Sequence, residues 1–258
     1  MLLIRAMLIA ISTYTRIPVP QLQRDDRAMK LSLAFLPLIG LIIGATVWGW
    51  QIICQNLELS GIMFAAIAVS IPVFITGGIH LDGFCDTADA LTSYQDKERR
   101  LEILKDPHVG AFALIRLSIT LIIQFALWFE IYHRGFDEGV ICLYSVSRCI
   151  AAWTALILPK ARQDGMLASH AEKNNPRLAV MIILTLLTVS ALIGWALLTY
   201  PRGLFSLLIC LPVTLWYSRM VKKCFGGVTG DTTGYYLQVT EMAMLTGLFL
   251  GGLFFTWI

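Results

Sequence analysis

The sequence predicts an all-α integral membrane protein: a polytopic bundle of about seven transmembrane helices, preceded by an N-terminal helix that lies in the membrane interface or dips partway in. Three observations predict it. Of the 258 residues, 57% are hydrophobic and only 14% are charged, whereas a soluble domain carries about 25% charged residues. The mean hydropathy is +0.72, with apolar residues gathered into runs near the roughly 20 residues that a span needs. The basic residues are divided unequally among the connectors, as orientation in a membrane requires. Residues 1–258 read as a single membrane-embedded domain, with no soluble domain, linker or clear repeat. A net charge of +3 gives no reason to expect nucleic acid. The six cysteines stand without a CxxC pair and mostly in apolar runs, so neither a disulfide framework nor a zinc site is expected.

The stretch from Met1 to Ile11 is apolar but interrupted by Arg5, and it ends at Arg16-Ile17-Pro18. It is short for a span and lacks a small-residue cleavage site, which favours an interfacial helix over a leader. Seven spans follow, running approximately from Leu31 to Cys54, Leu59 to Gly78, Gly110 to Tyr132, Gly139 to Leu158, Leu178 to Thr199, Gly203 to Met220 and Tyr235 to Ile258. The connectors after the first, third and fifth are short. Those after the second, fourth and sixth carry nearly all the polar residues.

Lys and Arg set the orientation. Arg5, Arg16, Arg24, Arg27 and Lys30 precede the first span; Lys97, Arg99, Arg100 and Lys105 lie in the second connector. The fourth holds Lys160, Arg162, Lys173 and Arg177, and the sixth region Arg219, Lys222 and Lys223. The opposite side has only Arg134 and Arg202, while Arg116 and Arg148 lie inside spans. The N-terminus and the three long connectors are therefore expected in the cytoplasm and the C-terminus outside.

The most telling stretch opens the second connector: His80-Leu81-Asp82-Gly83-Phe84-Cys85-Asp86-Thr87-Ala88-Asp89-Ala90. Aspartates at i, i+4 and i+7 fall within an arc of roughly 60° on a helix. Like charges so close repel, and no Lys or Arg occurs between Lys30 and Lys97 to relieve them. A solvated acidic helix start would interleave such residues. A divalent cation such as Mg²⁺, which takes oxygen ligands and leaves room for substrate phosphates, suits them better.

The sixth region supplies Gly226-Gly227-Val228-Thr229-Gly230-Asp231-Thr232-Thr233-Gly234, with Gln238 and Glu241 on the helical face that follows. A glycine-rich turn feeding a helix N-terminus can cradle an anion, and Asp231 brings another carboxylate to the same side. A glycine-rich connector with a capping Asp is the plain alternative. Charges inside apolar runs usually point into the bundle. Arg116 either meets a phosphate or snorkels to the surface, Arg148 and Glu241 are a potential structural ion pair, and Glu130 reaches solvent near the outer end. Arg162 is a plausible phosphate contact. His80 and His108 flank the aspartates as bases or as hydrogen-bonding residues.

Together these motifs resemble the cobalamin synthase family, the adenosylcobinamide-GDP ribazoletransferases. The resemblance rests on His80-Leu81-Asp82-Gly83, Asp86-Thr87-Ala88-Asp89, Lys105-Asp106 with Gly110-Ala111-Phe112, Ala161-Arg162 with Asp164-Gly165, Gly226 to Asp231 with Gly234 and Glu241, and Thr15 to Pro20. Ala90 departs from a common glycine, and Pro107-His108 falls where the family pattern varies. The resemblance implies that α-ribazole or its 5′-phosphate joins adenosylcobinamide-GDP, with loss of GMP, to give adenosylcobalamin or its 5′-phosphate. Catalytic and metal roles would fall to Asp82, Asp86, Asp89 and Asp231, with Mg²⁺ as cofactor. Substrate contacts would fall to His80, Lys105, Arg116, Arg162, Gly227, Gly230, Gly234 and Glu241. The implied setting is a bacterial or archaeal cytoplasmic (inner) membrane, its lipid in contact with the bundle and the site facing the cytoplasm, with other cobalamin-assembly enzymes as candidate partners. A CDP-alcohol type phosphotransferase is the alternative within enzymes, although its combined motif is missing. A secondary transporter is the alternative from another class, although its polar site would lie near the bilayer midplane rather than at one surface.

Overall fold

The computed structural model describes residues 1–20, 25–135, 139–161 and 177–255. Within them the regular structure is helical, and the one strand-like pairing is a bridge between Lys160 and Val228. α1 (Leu2–Tyr14) is the short apolar helix expected at the N-terminus. Ala6 and Ala10 are buried, whereas Leu2, Leu3 and Ile4 are exposed, so α1 lies with one face on the bundle.

The first span is entered in steps. α2 (Asp26–Leu31) is capped by the Asp25 carboxylate, a 3₁₀ turn (Ser32–Phe35) follows, and α3 (Leu36–Asn56) completes the crossing. The unbroken run expected from Leu31 is interrupted because Pro37 has no N–H to continue a ladder and favours a helix start. α4 (Gly61–Thr76) and α5 (Ile79–Thr92) form a pair bent by 93°. Gly77 and Gly78 make the elbow at φ values of 65° and 80°, left-handed backbone that glycine alone adopts freely. α4 carries the apolar run of this pair; α5, with its three aspartates, turns across the end of the bundle.

After the short α6 (Lys97–Ile103) come α7 (Ala111–His133), α8 (Val140–Ile157), α9 (Arg177–Thr199), α10 (Arg202–Phe225) and α11 (Gly230–Phe255). Six described helical stretches are long and apolar enough to cross a membrane, or up to seven if the bent pair is counted as one span. α8 is the inner helix, 78% buried, whereas only 22% of α7 and of α9 is covered. The exposed Ile115, Ile119, Ile122 and Ile123 of α7 face outward, where lipid is the natural solvent for such surface. α11 begins five residues earlier than the predicted Tyr235, which brings Asp231 into a helix rather than a loop.

The bundle has two distinct ends. At one, the Arg16 N–H donates to the Ile75 carbonyl at 2.8 Å, Gly83 touches Asp231, and Lys160 meets Val228. The N-terminal segment and the second, fourth and sixth connectors thus converge. At the other, Arg134 pairs with Glu130 and Arg202 donates to the Gly135 carbonyl. A reporter fused after Ile258 is therefore expected to read as non-cytoplasmic in cells, and one joined before Met1 as cytoplasmic. A cytoplasmic C-terminal signal would overturn this arrangement.

Candidate active site

α5 and α11 cross at the converging end, and two glycines set how closely. A Cβ on Gly83 would come within 2.8 Å of the Asp231 carbonyl oxygen, and one on Gly234 within 3.2 Å of the His80 carbonyl oxygen. Asp82 and Asp231 each lie in the first turn of their helix, where the helix dipole favours a carboxylate. Asp82 is exposed, and Asp86 and Asp231 are half-buried. Their mutual field is felt at Asp86. Burial first, and then the carboxylates of Asp82, Asp231 and Asp89, push its pKa up to about 7. Asp82, Asp86 and Asp89 of α5 and Asp231 of α11 thus lie within electrostatic range of one another.

Asp89 is placed differently. Its two oxygens accept the backbone N–H groups of Gly110 at 2.5 Å and Ala113 at 3.1 Å, so it caps the start of α7. This cap comes from 21 residues away along the chain and ties α5 to α7. The glycine-rich turn also has structural commitments. Gly227 N–H donates to the Val221 carbonyl, Val228 N–H to Pro159 and Thr229 N–H to the Thr232 hydroxyl, while Thr232 N–H returns a bond to the Thr229 hydroxyl. Three successive donors of the expected anion cradle are thus already engaged. The Thr229 and Thr232 pair is a reciprocal helix cap, a signal that the Thr-x-x-Thr spacing contains. Gly230 is exposed at the helix start.

Beneath the aspartates lies a buried polar layer. Arg148 Nη1 donates to Glu241 Oε1 at 2.7 Å, so Glu241 is held inside the bundle by Arg148. His80 joins this layer rather than the open face: among the described residues its Nε2 is buried without a partner. A small cavity of about 20 Å³ is lined by His80, Gln124, Arg148, Gln238 and Glu241 together with apolar residues, enough for a single water. Arg116 is exposed on α7 within electrostatic range of Tyr235, and Lys105 is exposed beyond α6. Arg162 lies outside the described residues.

The open cleft beside the acidic face has a volume of about 630 Å³ and lies between α1, the elbow and α7. Arg16 and Asp82 both line it. Arg16 is the residue that reading for carboxylates and glycines passes over; its signal is a basic residue directly before the Ile17-Pro18 break.

The raised Asp86 pKa has a consequence for stability. Its native value of about 7 lies above the ordinary 3.8, so the native state holds a proton that the unfolded chain has released. Stability contributed by that proton is intact at low pH and is lost as pH rises toward 7. Metal-free Asp86→Asn protein is therefore expected to melt above wild type at pH 8, with the gap shrinking as pH falls toward 4, measured by calorimetry in detergent with chelator. A gap independent of pH would contradict this.

Comparison with known proteins bears on what this face does. The family model described as Cobalamin-5-phosphate synthase matches residues 6–249. A protein of Lachnoclostridium phytofermentans named adenosylcobinamide-GDP ribazoletransferase is 36% identical over 237 residues, 91% of this chain and 89% of its own. Relatives of the same name from Clostridium perfringens and Pseudomonas entomophila are 31% and 33% identical, covering 96% and 86% of this chain and 98% and 88% of their own. No solved structure matches. With nearly the whole length matched, and with the carboxylates of α5 and α11 brought to one face, the chain belongs to the cobalamin-5-phosphate synthase family.

Proposed function

We propose that this protein joins a ribazole-type acceptor to adenosylcobinamide-GDP, the step that completes the nucleotide loop of cobalamin, and that it does so with Mg²⁺ at the cytoplasmic face of an inner membrane. The observation that carries the reading is the acidic face itself, Asp82 and Asp86 from one helix and Asp231 from another, in a chain of this family.

The donor set fits a hard divalent cation. Asp82, Asp86 and Asp231 offer only oxygen, and the carboxylates around Asp86 repel one another, a strain that a cation would relieve. Among the described residues no group of three or more His, Cys, Asp or Glu is gathered closely enough to hold a metal by itself, so a cation here would take part of its coordination from water and substrate phosphate, as Mg²⁺ does. Asp82, Asp86 and Asp231 would hold it; Asp89, occupied as a helix cap, is assigned a positioning role instead. The cation would supply charge neutralisation for the diphosphate.

The chain's own residues do the rest. The ribose 3′-hydroxyl oxygen of the acceptor bonds to the cobinamide-linked phosphorus, the bond from that phosphorus to the bridging oxygen breaks, and GMP leaves with that oxygen. The hydroxyl proton passes to a carboxylate oxygen of the acidic face that the cation leaves free. Lys105 and Arg116, both exposed, are the candidate contacts for the nucleotide phosphates. The Gly83–Gly234 crossing fixes where the carboxylates stand relative to one another.

Purified protein in detergent, given adenosylcobinamide-GDP, α-ribazole and Mg²⁺, is expected to release GMP and form the cobamide, and to stop on chelation. Asp82→Asn, Asp86→Asn and Asp231→Asn should each lower turnover by about 10²-fold or more, since each removes charge from a phosphoryl-transfer site. Asp96→Asn keeps the cap bond to Arg99 N–H and Glu98→Gln lies on an exposed face; both should turn over normally. Full activity under chelation, or wild-type turnover in Asp231→Asn, would refute the two-helix metal site.

A further inference from the structure

We propose that the cleft between α1, the elbow and α7 is the acceptor subsite, and that Arg16 within it selects a ribazole-type acceptor carrying a 5′-phosphate over the free nucleoside. The inference rests on the function proposed above and adds to it a location and a selecting residue.

Size restricts the occupant. The cleft volume of about 630 Å³ falls within the roughly 300–1,000 Å³ of small-ligand pockets. It suits the smaller of the two substrates, because a corrin ring with its amide arms and attached nucleotide is far larger. Charge restricts the pose. Arg16 and Asp82 are the charged side chains lining the cleft, with aliphatic Ile79, Leu81 and Leu117 among the walls. A molecule with a phosphate at one end, a flat apolar base and a ribose hydroxyl fits in one sense only. Arg16, the cation of the lining, draws the phosphate to its end of the cleft, which leaves the hydroxyl near Asp82 and the acidic face.

Arg16 is available and held in place. Among the described residues it has no ion-pair partner. Its backbone N–H is fixed to the Ile75 carbonyl at 2.8 Å. The neighbouring Thr15 hydroxyl donates to the Ile11 carbonyl at 2.7 Å and accepts from Ile17 N–H at 3.1 Å. The Arg16 side chain lies across Gly77, where any Cβ would collide with it. A guanidinium presented from so anchored a backbone can bind a phosphomonoester through two parallel bonds, a geometry that lysine cannot reproduce.

The test is kinetic and direct, on the full chain in detergent. For Arg16→Ala, the ratio of kcat/KM with α-ribazole 5′-phosphate to that with α-ribazole is expected to fall about tenfold or more, through KM rather than kcat. Arg16→Lys should restore part of the ratio. Equilibrium titration with α-ribazole 5′-phosphate alone should show binding to wild type that is lost in Arg16→Ala. Leu117→Trp, which fills the cleft from the α7 side, should raise KM for both acceptors without raising KM for adenosylcobinamide-GDP. A ratio changed less than threefold, a fall through kcat alone, or no titratable binding to wild type would overturn the subsite even where turnover is normal. Arg16-dependent binding without turnover of either acceptor would instead uphold the subsite and refute the proposed reaction.

Discussion

The structure depends on how closely α5 and α11 approach. Their contact places Gly83 against the Asp231 backbone and Gly234 against that of His80, so neither position has room for a side chain without displacing main chain. Each helix brings its acidic residue in the first turn, where its own dipole favours the charge. Carboxylates that would separate in water are held together because the apolar residues around them demand the packing. Phe84 stacks on Tyr235 at 5.1 Å and Tyr217 on Tyr236 at 4.1 Å just beneath the crossing. Repulsion at Asp86 is sustained by burial elsewhere, a common way for functional sites to hold unfavourable charge.

A second constraint acts below the first. Arg148 and Glu241, 93 residues apart, are buried as a pair that links α8 to α11. Such a pair adds little to stability compared with an apolar pair of similar size, but removing one partner leaves a charge stranded at a cost of about 3–5 kcal/mol. The pair therefore acts as a register lock: α11 cannot slide on α8 without breaking it. His80, two residues before Asp82, lines the same small cavity as Arg148 and Glu241, so the helix that carries the aspartates meets a polar layer inside an otherwise apolar bundle.

Much of this is legible in the sequence because it is periodic or compositional. Spans follow from apolar runs, and the shared face of Asp82 and Asp86 follows from helical spacing. What resists reading is contact between distant segments. Asp89 lies on the same arc as its neighbours, yet its oxygens are taken by Gly110 and Ala113 N–H groups, and no helical wheel contains residues from another helix. The glycine-rich turn looks like a cradle until the donors of Gly227, Val228 and Thr229 are traced to Val221, Pro159 and Thr232. Gly77-Gly78 marks the end of an apolar run, but the 93° turn that carries α5 under the bundle depends on both residues adopting positive φ. Arg16 looks like one more basic residue flanking a span, and only the packing of α1 against the elbow turns it inward to the cleft.

Whether the two helices share one cation is most directly measured by electron paramagnetic resonance of Mn²⁺ titrated into the purified wild type, Asp86→Asn and Asp231→Asn proteins. Saturable Mn²⁺ uptake that Mg²⁺ displaces is expected in the wild type, with uptake lost when either helix gives up its carboxylate. Binding by Asp231→Asn indistinguishable from wild type would show that α11 takes no part and would contradict a site built across the crossing.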